Sequence, residues 1–172
     1  EHAIAMMFAL ARQLPEANQS TKAGKWEKTR FMGVEVTGKT LGIIGCGTIG
    51  SIVADRARGL RMRVLAYDPF LSPERAKELG VERVELDVLF RRADFISLHT
   101  PLTDQTRNII DAAGIAKMKK GVRIINCARG GLIVEKDLLE ALNSGHVAGA
   151  ALDVFEVEPA TSNPLFTHEN VI

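Results

Sequence analysis

Three closely spaced glycines constrain the fold of this chain more than any other feature. Gly45, Gly47 and Gly50 follow a short apolar run at residues 40–44 and precede apolar side chains at helical spacing up to Leu60. Gly45 permits a tight turn, and Gly50 lets a helix lie close on a sheet. The pattern therefore predicts a strand that turns directly into a helix, the first unit of an alternating α/β fold.

Further apolar runs recur along the chain, with helical stretches between them. The candidate strands cover residues 63–67, 95–98, 123–126 and 149–152, and residues 170–172 look like the beginning of another. Ser72 and Pro73 begin one helix, and Gly145 ends another that runs over residues 135–142. Because the central strands are apolar throughout, both faces of the sheet should be covered. We expect an α/β fold with a doubly wound parallel sheet, a Rossmann-type arrangement of three layers (αβα).

Composition excludes several classes of protein. The chain has 172 residues, of which 46% are hydrophobic and 25% charged, as in one well-buried domain. A net charge of +1 gives no reason to expect a nucleic acid or an acidic membrane as partner. Two cysteines are too few for a disulfide framework, and no apolar run could span a bilayer. No metal-ligand spacing appears. We therefore expect a cytoplasmic domain.

The N-terminal residues differ from the rest of the chain. A helical apolar stripe comprises Ile4, Met7, Phe8, Ala11 and Leu14. Pro15 is expected to kink or end this helix, and the polar residues 19–30 are interpreted as a connector. The helix begins abruptly, as if cut from something longer. We expect residues 1–30 to form an N-terminal helix and connector beside a core at residues 39–172. The helix packs either on its own sheet or against a second subunit.

The glycine loop and one acidic residue together predict a dinucleotide site. Gly47 lets the backbone approach a diphosphate, and the first helical amides, near Thr48 and Ile49, would face it. Asp68 ends the second strand, where a carboxylate can hold both ribose hydroxyls of adenosine. It would also repel a 2′-phosphate, which favours NAD over NADP. The alternative is that Asp68 is only a turn residue before Pro69.

A second polar cluster follows later strands of the predicted sheet. Residues 126–131, which include Arg129, come after one strand, and Asp153, Glu156 and Glu158 come after the next. Because parallel strands end at one edge of the sheet, these side chains should lie near the cofactor. An arginine can clamp a carboxylate with two hydrogen bonds. The cluster predicts a substrate site, and a surface ion pair is the alternative.

The motifs NCARGGLIVEKDLLEAL, GAALDVFEVEP and ADFISLHTPLTDQTRNII, with the glycine loop, make nearly the whole chain similar to the D-2-hydroxyacid dehydrogenase family. The resemblance implies an oxidoreductase that uses NAD and a small 2-hydroxy or 2-oxo acid. It implies that Arg129 binds the substrate carboxylate and polarises the 2-oxo group, and that Glu158 pairs with a catalytic histidine. The implied cofactor contacts are Gly45, Gly47, Thr48, Ile49, Gly50, Asp68, Thr100, Cys127, Ala128, Arg129 and Asp153, the last of which holds the nicotinamide carboxamide.

The chain departs from the family pattern in its histidines. The family's catalytic histidine belongs to a PHLG-like stretch, which would lie beyond Ile172. His168 precedes the last strand, His99 ends a strand near the cofactor and His146 falls in a turn, so none is in motif register. The family also has a substrate-side domain, absent from this chain. We expect an excised NAD-binding domain that binds NAD without turnover. Cys46 and Cys127 have no base at a recognisable spacing and are not expected to be nucleophiles.

The branch of the family is less specific than the family itself. The run AGKWEKTRFMGVEVTGKTLGIIG is most similar to D-3-phosphoglycerate dehydrogenases, which implies oxidation of D-3-phosphoglycerate to 3-phosphohydroxypyruvate, the first step of serine biosynthesis. Two alternatives stay open: a glyoxylate or hydroxypyruvate reductase, and a corepressor-type scaffold that senses NAD. In this family the N-terminal helix belongs to a dimer interface, so a homodimer or homotetramer is implied.

Overall fold

The computed structural model describes residues 1–172 and contains one parallel sheet with helices on both faces. The strands are β1 Thr40–Ile44, β2 Arg63–Tyr67, β3 Glu82–Arg83, β4 Phe95–Leu98, β5 Val122–Asn126 and β6 Val147–Leu152. The helices are α1 His2–Arg12, α2 Leu14–Lys22, α3 Thr48–Gly59, α4 Pro73–Leu79, α5 Leu86–Arg92, α6 Ala112–Lys117 and α7 Glu135–Asn143, followed by a 3-10 helix, Pro164–Thr167.

The strand order β3-β2-β1-β4-β5-β6 confirms the predicted doubly wound sheet. β1 pairs in parallel with β2 on one side and with β4 on the other, so the strand order reverses beside β1. Ligands of open α/β sheets bind outside the carboxyl ends of the strands at such a switch point. The register aligns Ile44 with Tyr67 and Leu98, and Asn126 with Leu98 and Leu152, so these strands end together. We call this side the carboxyl edge.

Each face of the sheet has its own hydrophobic core, which confirms the three layers. Because successive strand residues point to opposite faces, Ile124 packs in one cluster of 21 buried residues and Ile125 in another of 20. Helices α5, α6 and α7 cover the first cluster, and α1, α3 and α4 cover the second. None of the helices is long and apolar enough to cross a membrane.

The N-terminal helix packs on its own sheet. Met7 and Ala11 of α1 are buried in the same cluster as Ile125 of β5, whereas Met6 and Phe8 are only partly buried. Packing on its own sheet was one of the two alternatives that the sequence left open for α1. The partly buried side chains leave some apolar surface on the outer side of the helix.

Residues 13–22 differ from the sequence-based expectation. Gln13 is left-handed, with φ of 52°, and it ends α1 before a second helix begins at Leu14. Pro15 lies in the first turn of α2, where a backbone N–H would have no partner within the helix, so the lack of one costs nothing. Pro15 therefore begins a helix as well as ending one. The expected connector over residues 19–30 is therefore helical as far as Lys22. The side chain of Ser20 donates to Glu27 at 2.6 Å and ties the true connector to this helix.

Strand boundaries also shift slightly. β5 begins at Val122 and β6 at Val147, earlier than predicted, and β3 was not predicted because its two residues are polar and exposed. The last residues do begin to pair beside β6, through a parallel bridge between Ala150 and Val171.

Candidate cofactor and substrate site

Two glycines of the loop after β1 are required by close packing. Gly45 has φ of +91°, and a Cβ there would lie 2.7 Å from the His99 carbonyl group. A Cβ on Gly50 would lie only 2.1 Å from the carbonyl oxygen of Gly45, and 3.4 Å from Ile43 of β1. The first turn of α3 therefore rests on the loop itself more closely than on the sheet. A larger residue at Gly50 would push the start of α3 away from the loop, and one at Gly45 would push the loop away from the backbone of His99.

The third glycine leaves open space at the start of α3. A Cβ on Gly47 would meet nothing within 4 Å, and Gly47 caps the helix without a side-chain hydrogen bond. Thr48 and Ile49 are exposed, and the first intrahelical donor is the N–H of Ser51, which bonds to the Gly47 carbonyl. The preceding helical amides have no internal acceptor. With the helix dipole behind them, they form a surface that fits a diphosphate.

Asp68 joins the glycine loop to the turn after β2. Its Oδ2 accepts a hydrogen bond from the N–H of Cys46 at 2.8 Å, and its Oδ1 accepts one from the N–H of Phe70, also at 2.8 Å. The turn-residue alternative and the ribose-binding interpretation are thus compatible. Each carboxylate oxygen can accept a second hydrogen bond, so the half-buried carboxylate still has capacity for ribose hydroxyls.

A cavity of about 550 Å³ lies beside this loop at the carboxyl edge. Its volume falls within the usual range for small-molecule sites, roughly 300–1,000 Å³. Asp68, Thr100 and His99 line it together with Phe70, whose side chain is 96% exposed. Sequence reasoning did not assign Phe70 to the site. The available signal was its position two residues after the acidic end of β2.

His99 is kept neutral at the wall of this cavity. Its Nε2 lies 2.8 Å from the Oγ of Ser97, and burial lowers the pKa of His99 to about 4. Its backbone N–H donates to the Ile44 carbonyl, so the residue is fixed beside β1. A neutral imidazole adds no positive charge near the cofactor cavity. This geometry agrees with a structural or cofactor-side contact.

A buried amide organises the second loop of the site. Asn126 ends β5 with 2% exposure, its Nδ2 donates to the Arg129 carbonyl at 2.9 Å, and its Oδ1 accepts from the Ala128 N–H at 3.0 Å. Its own carbonyl accepts from the N–H of Asp153 at 3.0 Å. Asn126 therefore holds both ends of the loop and the start of the next one. The sequence showed an amide at the end of an apolar strand, but not these partners.

The charged side chains of the second cluster are exposed at the carboxyl edge. Arg129 donates from its Nη1 to the Ala128 carbonyl at 2.6 Å and forms no ion pair with Asp153 or Glu158. The surface ion pair that was the alternative is therefore wrong. Oε1 of Glu158 accepts from the N–H of Phe155 at 3.1 Å, and Asp153 lies 3.4 Å from His2. The guanidinium of Arg129 keeps most of its donors free for a ligand.

Backbone packing joins the Arg129 loop to the segment at residues 153–163, which we call the acidic loop. A Cβ on Gly130 would lie 1.8 Å from the carbonyl oxygen of Phe155, so the two backbones touch. Glu135, at the start of α7, accepts from the Glu156 N–H through Oε1 and from the Asn163 side chain through Oε2, both at 2.7 Å. Glu135 thus fixes the segment that carries Glu158. An acidic residue in a first helical turn is common, so no sequence pattern indicated this role.

The remaining candidates are less reactive. Burial raises the pKa of Cys46, with a further contribution from Asp68, and burial followed by the charge of Asp153 raises the pKa of Cys127 to about 11. Both thiols are therefore protonated near neutral pH.

The two remaining histidines bind backbone groups. His146 lies 3.0 Å from the Ile115 carbonyl in a turn, and His168 accepts from the Asn170 N–H at 3.1 Å beyond the 3-10 helix.

Together, these features define a class of protein. A doubly wound parallel sheet, a glycine loop with free helical amides and an acidic residue at the end of β2 make a dinucleotide-binding domain. The chain matches the model of the family described as D-isomer specific 2-hydroxyacid dehydrogenase, NAD binding domain, over residues 4–172. The chain belongs to this family, which confirms both the family resemblance and NAD as the cofactor.

Individual relatives and solved structures show which members of the family the chain resembles. The chain is 54% identical over 172 residues to the D-3-phosphoglycerate dehydrogenase of Bacillus subtilis (strain 168), covering all of this chain and 33% of that protein. It is similar to the structure of D-lactate dehydrogenase from Escherichia coli, with a TM-score of 0.90 and 39% identity over 99% of this chain and 53% of that one. A glyoxylate reductase from Paecilomyes thermophila also has a TM-score of 0.90, with 40% identity over 99% of this chain and 52% of that one. The chain spans about a third of the length of the curated relatives.

Proposed function

We propose that this chain is the cofactor-binding part of an NAD-dependent dehydrogenase that oxidises D-3-phosphoglycerate to 3-phosphohydroxypyruvate, the first step of serine biosynthesis. The observation that carries the proposal is the 54% identity to a protein of that name over the full length of this chain. The site geometry supports it, because the diphosphate surface and Arg129 share the carboxyl edge of one sheet. In this proposal residues 1–172 form the NAD-binding domain, and the substrate domain lies outside the chain.

The cofactor would lie along the carboxyl edge. The diphosphate would face the amides of Gly47, Thr48, Ile49 and Gly50. Asp68 would hold the adenosine ribose, with Gly45 and Thr100 forming the cavity wall. Toward the second loop, the remaining proposed contacts to the nicotinamide half are Cys127, Ala128, Arg129 and Asp153. Bound NAD supplies the hydride acceptor, and the chain supplies position and charge.

The substrate would meet the second loop. Arg129 has a free guanidinium fork, which suits the carboxylate of a 2-hydroxy acid and would polarise the 2-oxo group. Glu158 is proposed to orient a histidine supplied from outside this chain and to raise the pKa of that histidine. Neither role requires a group that the first loop provides. In this proposal the first loop serves the cofactor alone, and the second serves both the nicotinamide half and the substrate.

Cofactor choice is tested at Asp68. We expect NADH to bind to the chain with a saturable fluorescence change and NADPH to bind much more weakly, because the carboxylate repels a 2′-phosphate. Asp68→Ala should weaken NADH binding by about tenfold or more and reduce the preference over NADPH. Glu140→Ala, at an exposed position of α7, is a control for the loss of one charge. Unchanged NADH affinity in Asp68→Ala would remove the proposed role of Asp68.

Catalysis is tested separately from binding. The chain alone should bind NADH but should not oxidise D-3-phosphoglycerate, because Glu158 accepts a hydrogen bond from a backbone N–H and not from a histidine. Steady-state turnover by the chain alone would contradict this proposal. In a full-length protein that contains these residues, D-3-phosphoglycerate should be used at least about a hundredfold more efficiently than glyoxylate.

A second candidate substrate has one supporting observation. The glyoxylate reductase of known structure is 40% identical to this chain, so a reductase of glyoxylate or hydroxypyruvate is the competing proposal. The same assay with glyoxylate and hydroxypyruvate decides between them. We further propose a cytoplasmic homo-oligomer, a dimer or tetramer, with residues 1–30 at the interface between subunits. Sedimentation of the chain with and without Met6→Glu, at a partly buried position of α1, tests that interface.

A further inference from the structure

Positively charged side chains converge at the edge of the sheet opposite the cofactor. A groove of about 450 Å³ lies where β1, β2 and β3 begin. We call it the basic groove, and its charged lining residues are Arg58, Arg63, Arg91, Arg92, Lys119 and Glu82. Five cations and one carboxylate share one depression, although the whole chain has a net charge of only +1.

Internal ion pairs neutralise part of this groove. Arg92 binds Glu82 with two parallel hydrogen bonds of 2.6 and 2.7 Å, which uses up the only lining carboxylate. Lys119 pairs with Asp94 at 2.9 Å. These contacts neutralise two of the five cations. They also occupy the two carboxylates that could have paired with the other three.

Three guanidinium groups remain without a carboxylate partner of their own. Arg63, the first residue of β2, is exposed and forms no ion pair. Arg91 reaches Asp87 only at 4.0 Å, while both oxygens of Asp87 lie within 2.9 Å of Lys117. Arg58 donates to the Leu79 carbonyl at 3.0 Å, a neutral acceptor.

Helix ends explain only part of this charge. Arg58 and Arg91 lie in the last turns of α3 and α5, where cations are stabilised by the helix dipole. Arg63 begins a strand and gains nothing from that effect. The guanidinium of Arg58 also lies over Gly80, where a Cβ would be 2.4 Å from its central carbon, so its direction along the groove is set by packing. Convergence from three separate elements is a property of the tertiary fold.

We propose that the basic groove binds a small molecule that carries at least two phosphoryl groups, at a site separate from the cofactor cavity. Guanidinium forks match phosphoryl oxygens with paired hydrogen bonds. Three guanidiniums that have no carboxylate of their own, in a groove of about 450 Å³, offer more donors and more space than a single phosphate would use. A nucleic acid would need a basic surface that extends beyond this single groove of about 450 Å³.

The test uses tripolyphosphate as the probe and calorimetry at low salt, with NADH present at saturation. NADH fills the diphosphate surface at α3 and so removes that surface from the measurement. We expect one saturable site for tripolyphosphate, at least about tenfold tighter than for inorganic phosphate, and weaker as salt is raised. Binding that disappears when NADH is added would overturn the proposal, as would equal affinity for inorganic phosphate.

A pair of double variants locates the site. Arg63→Gln with Arg91→Gln removes two groove charges that support no internal hydrogen bond, and should weaken tripolyphosphate binding by about tenfold. Arg30→Gln with Arg56→Gln removes two exposed charges elsewhere and should leave it within about twofold. Thermal unfolding verifies that both double variants are folded. Equal loss in the two pairs, or no loss in either, would overturn the proposal.

Discussion

The loops after β1 and β5 end at the same edge of the sheet and carry glycines, yet they are held in different ways. The loop at residues 45–50 is held through its backbone, with the Gly45 N–H bound to the Tyr67 carbonyl and the Cys46 N–H bound to Asp68. The loop at residues 126–131 is held by the side chain of Asn126. The first loop offers free amides to a ligand, and the second offers the side chain of Arg129.

The difference shows which kind of binding site a short sequence pattern can encode. Backbone recognition needs only that no Cβ intrudes, and three glycines at fixed spacing meet that need locally. Recognition by a charged side chain also needs supports that hold its loop. The side chain of Asn126 supplies this support from within the loop, and its backbone carbonyl binds Asp153. Glu135 holds the neighbouring segment at Glu156 and Asn163. Four predictions test this contrast, beginning with the one that should have the largest effect.

Gly50→Ala should be the most disruptive change in the first loop. Its Cβ would lie 2.1 Å from a backbone oxygen, so the start of α3 must move, at a cost of about 3 kcal/mol and about 6–12 °C in melting temperature. Gly47→Ala is the matched control, because its Cβ meets nothing within 4 Å. Gly47→Ala should keep its stability within about 0.5 kcal/mol and still weaken NADH binding. Equal stability of the two variants would show that the loop is not held through its backbone.

Asn126→Ala should cause the largest loss in the second loop. Removing the amide leaves the Arg129 carbonyl and the Ala128 N–H without their partner in a buried place, which costs about 2 kcal/mol. Amide hydrogen exchange should become faster at residues 127–131 and stay unchanged at residues 45–50. Asn143→Ala, at the exposed end of α7, is the control and should shift stability by less than about 0.5 kcal/mol. Faster exchange in both loops would contradict independent support.

The first loop should depend on pH through His99. The pKa of His99 is about 4 in the folded chain and lies near 6.5 when unfolded, so between these values the unfolded chain binds more protons. The contribution of this residue to stability is therefore full above about pH 6.5 and falls as pH is lowered toward 4, by about 2 kcal/mol between pH 7 and pH 5. His99→Gln keeps a partner for Ser97 and should reduce the loss between pH 7 and 5. His2→Gln is a second control. If stability declines equally in wild type and His99→Gln, the decline belongs to other titratable groups.

Glu135→Gln should have the smallest effect. The amide keeps an oxygen for the Glu156 N–H but cannot accept from Asn163 with its nitrogen, so one half-buried hydrogen bond is lost at about 0.5–1 kcal/mol. Exchange should become faster at residues 154–163 only. Glu140→Gln, exposed on the same helix, should have no measurable effect. Unchanged exchange in the acidic loop of Glu135→Gln would mean that Gly130 packing alone holds it.

Much of the fold could be predicted because its central strands are buried on both faces. The apolar runs at residues 40–44, 63–67 and 95–98 match β1, β2 and β4 residue for residue. β3 was missed because it is a two-residue polar edge strand, and α2 because its polar residues carry no apolar stripe. Those two elements depend on neighbours rather than on a local pattern.

The sequence by itself determined the alternation of strands and helices, the glycine turn and the acidic end of β2, because each depends on residues close together in the chain. Only the tertiary structure decided that the Asn126 carbonyl and Glu135 hold the segment at residues 153–163, that α1 lies on its own sheet, and that three arginines face one groove. A hydrogen bond or a convergence of charges between distant segments leaves no periodicity in the sequence. It exists only when the sheet has brought those segments together.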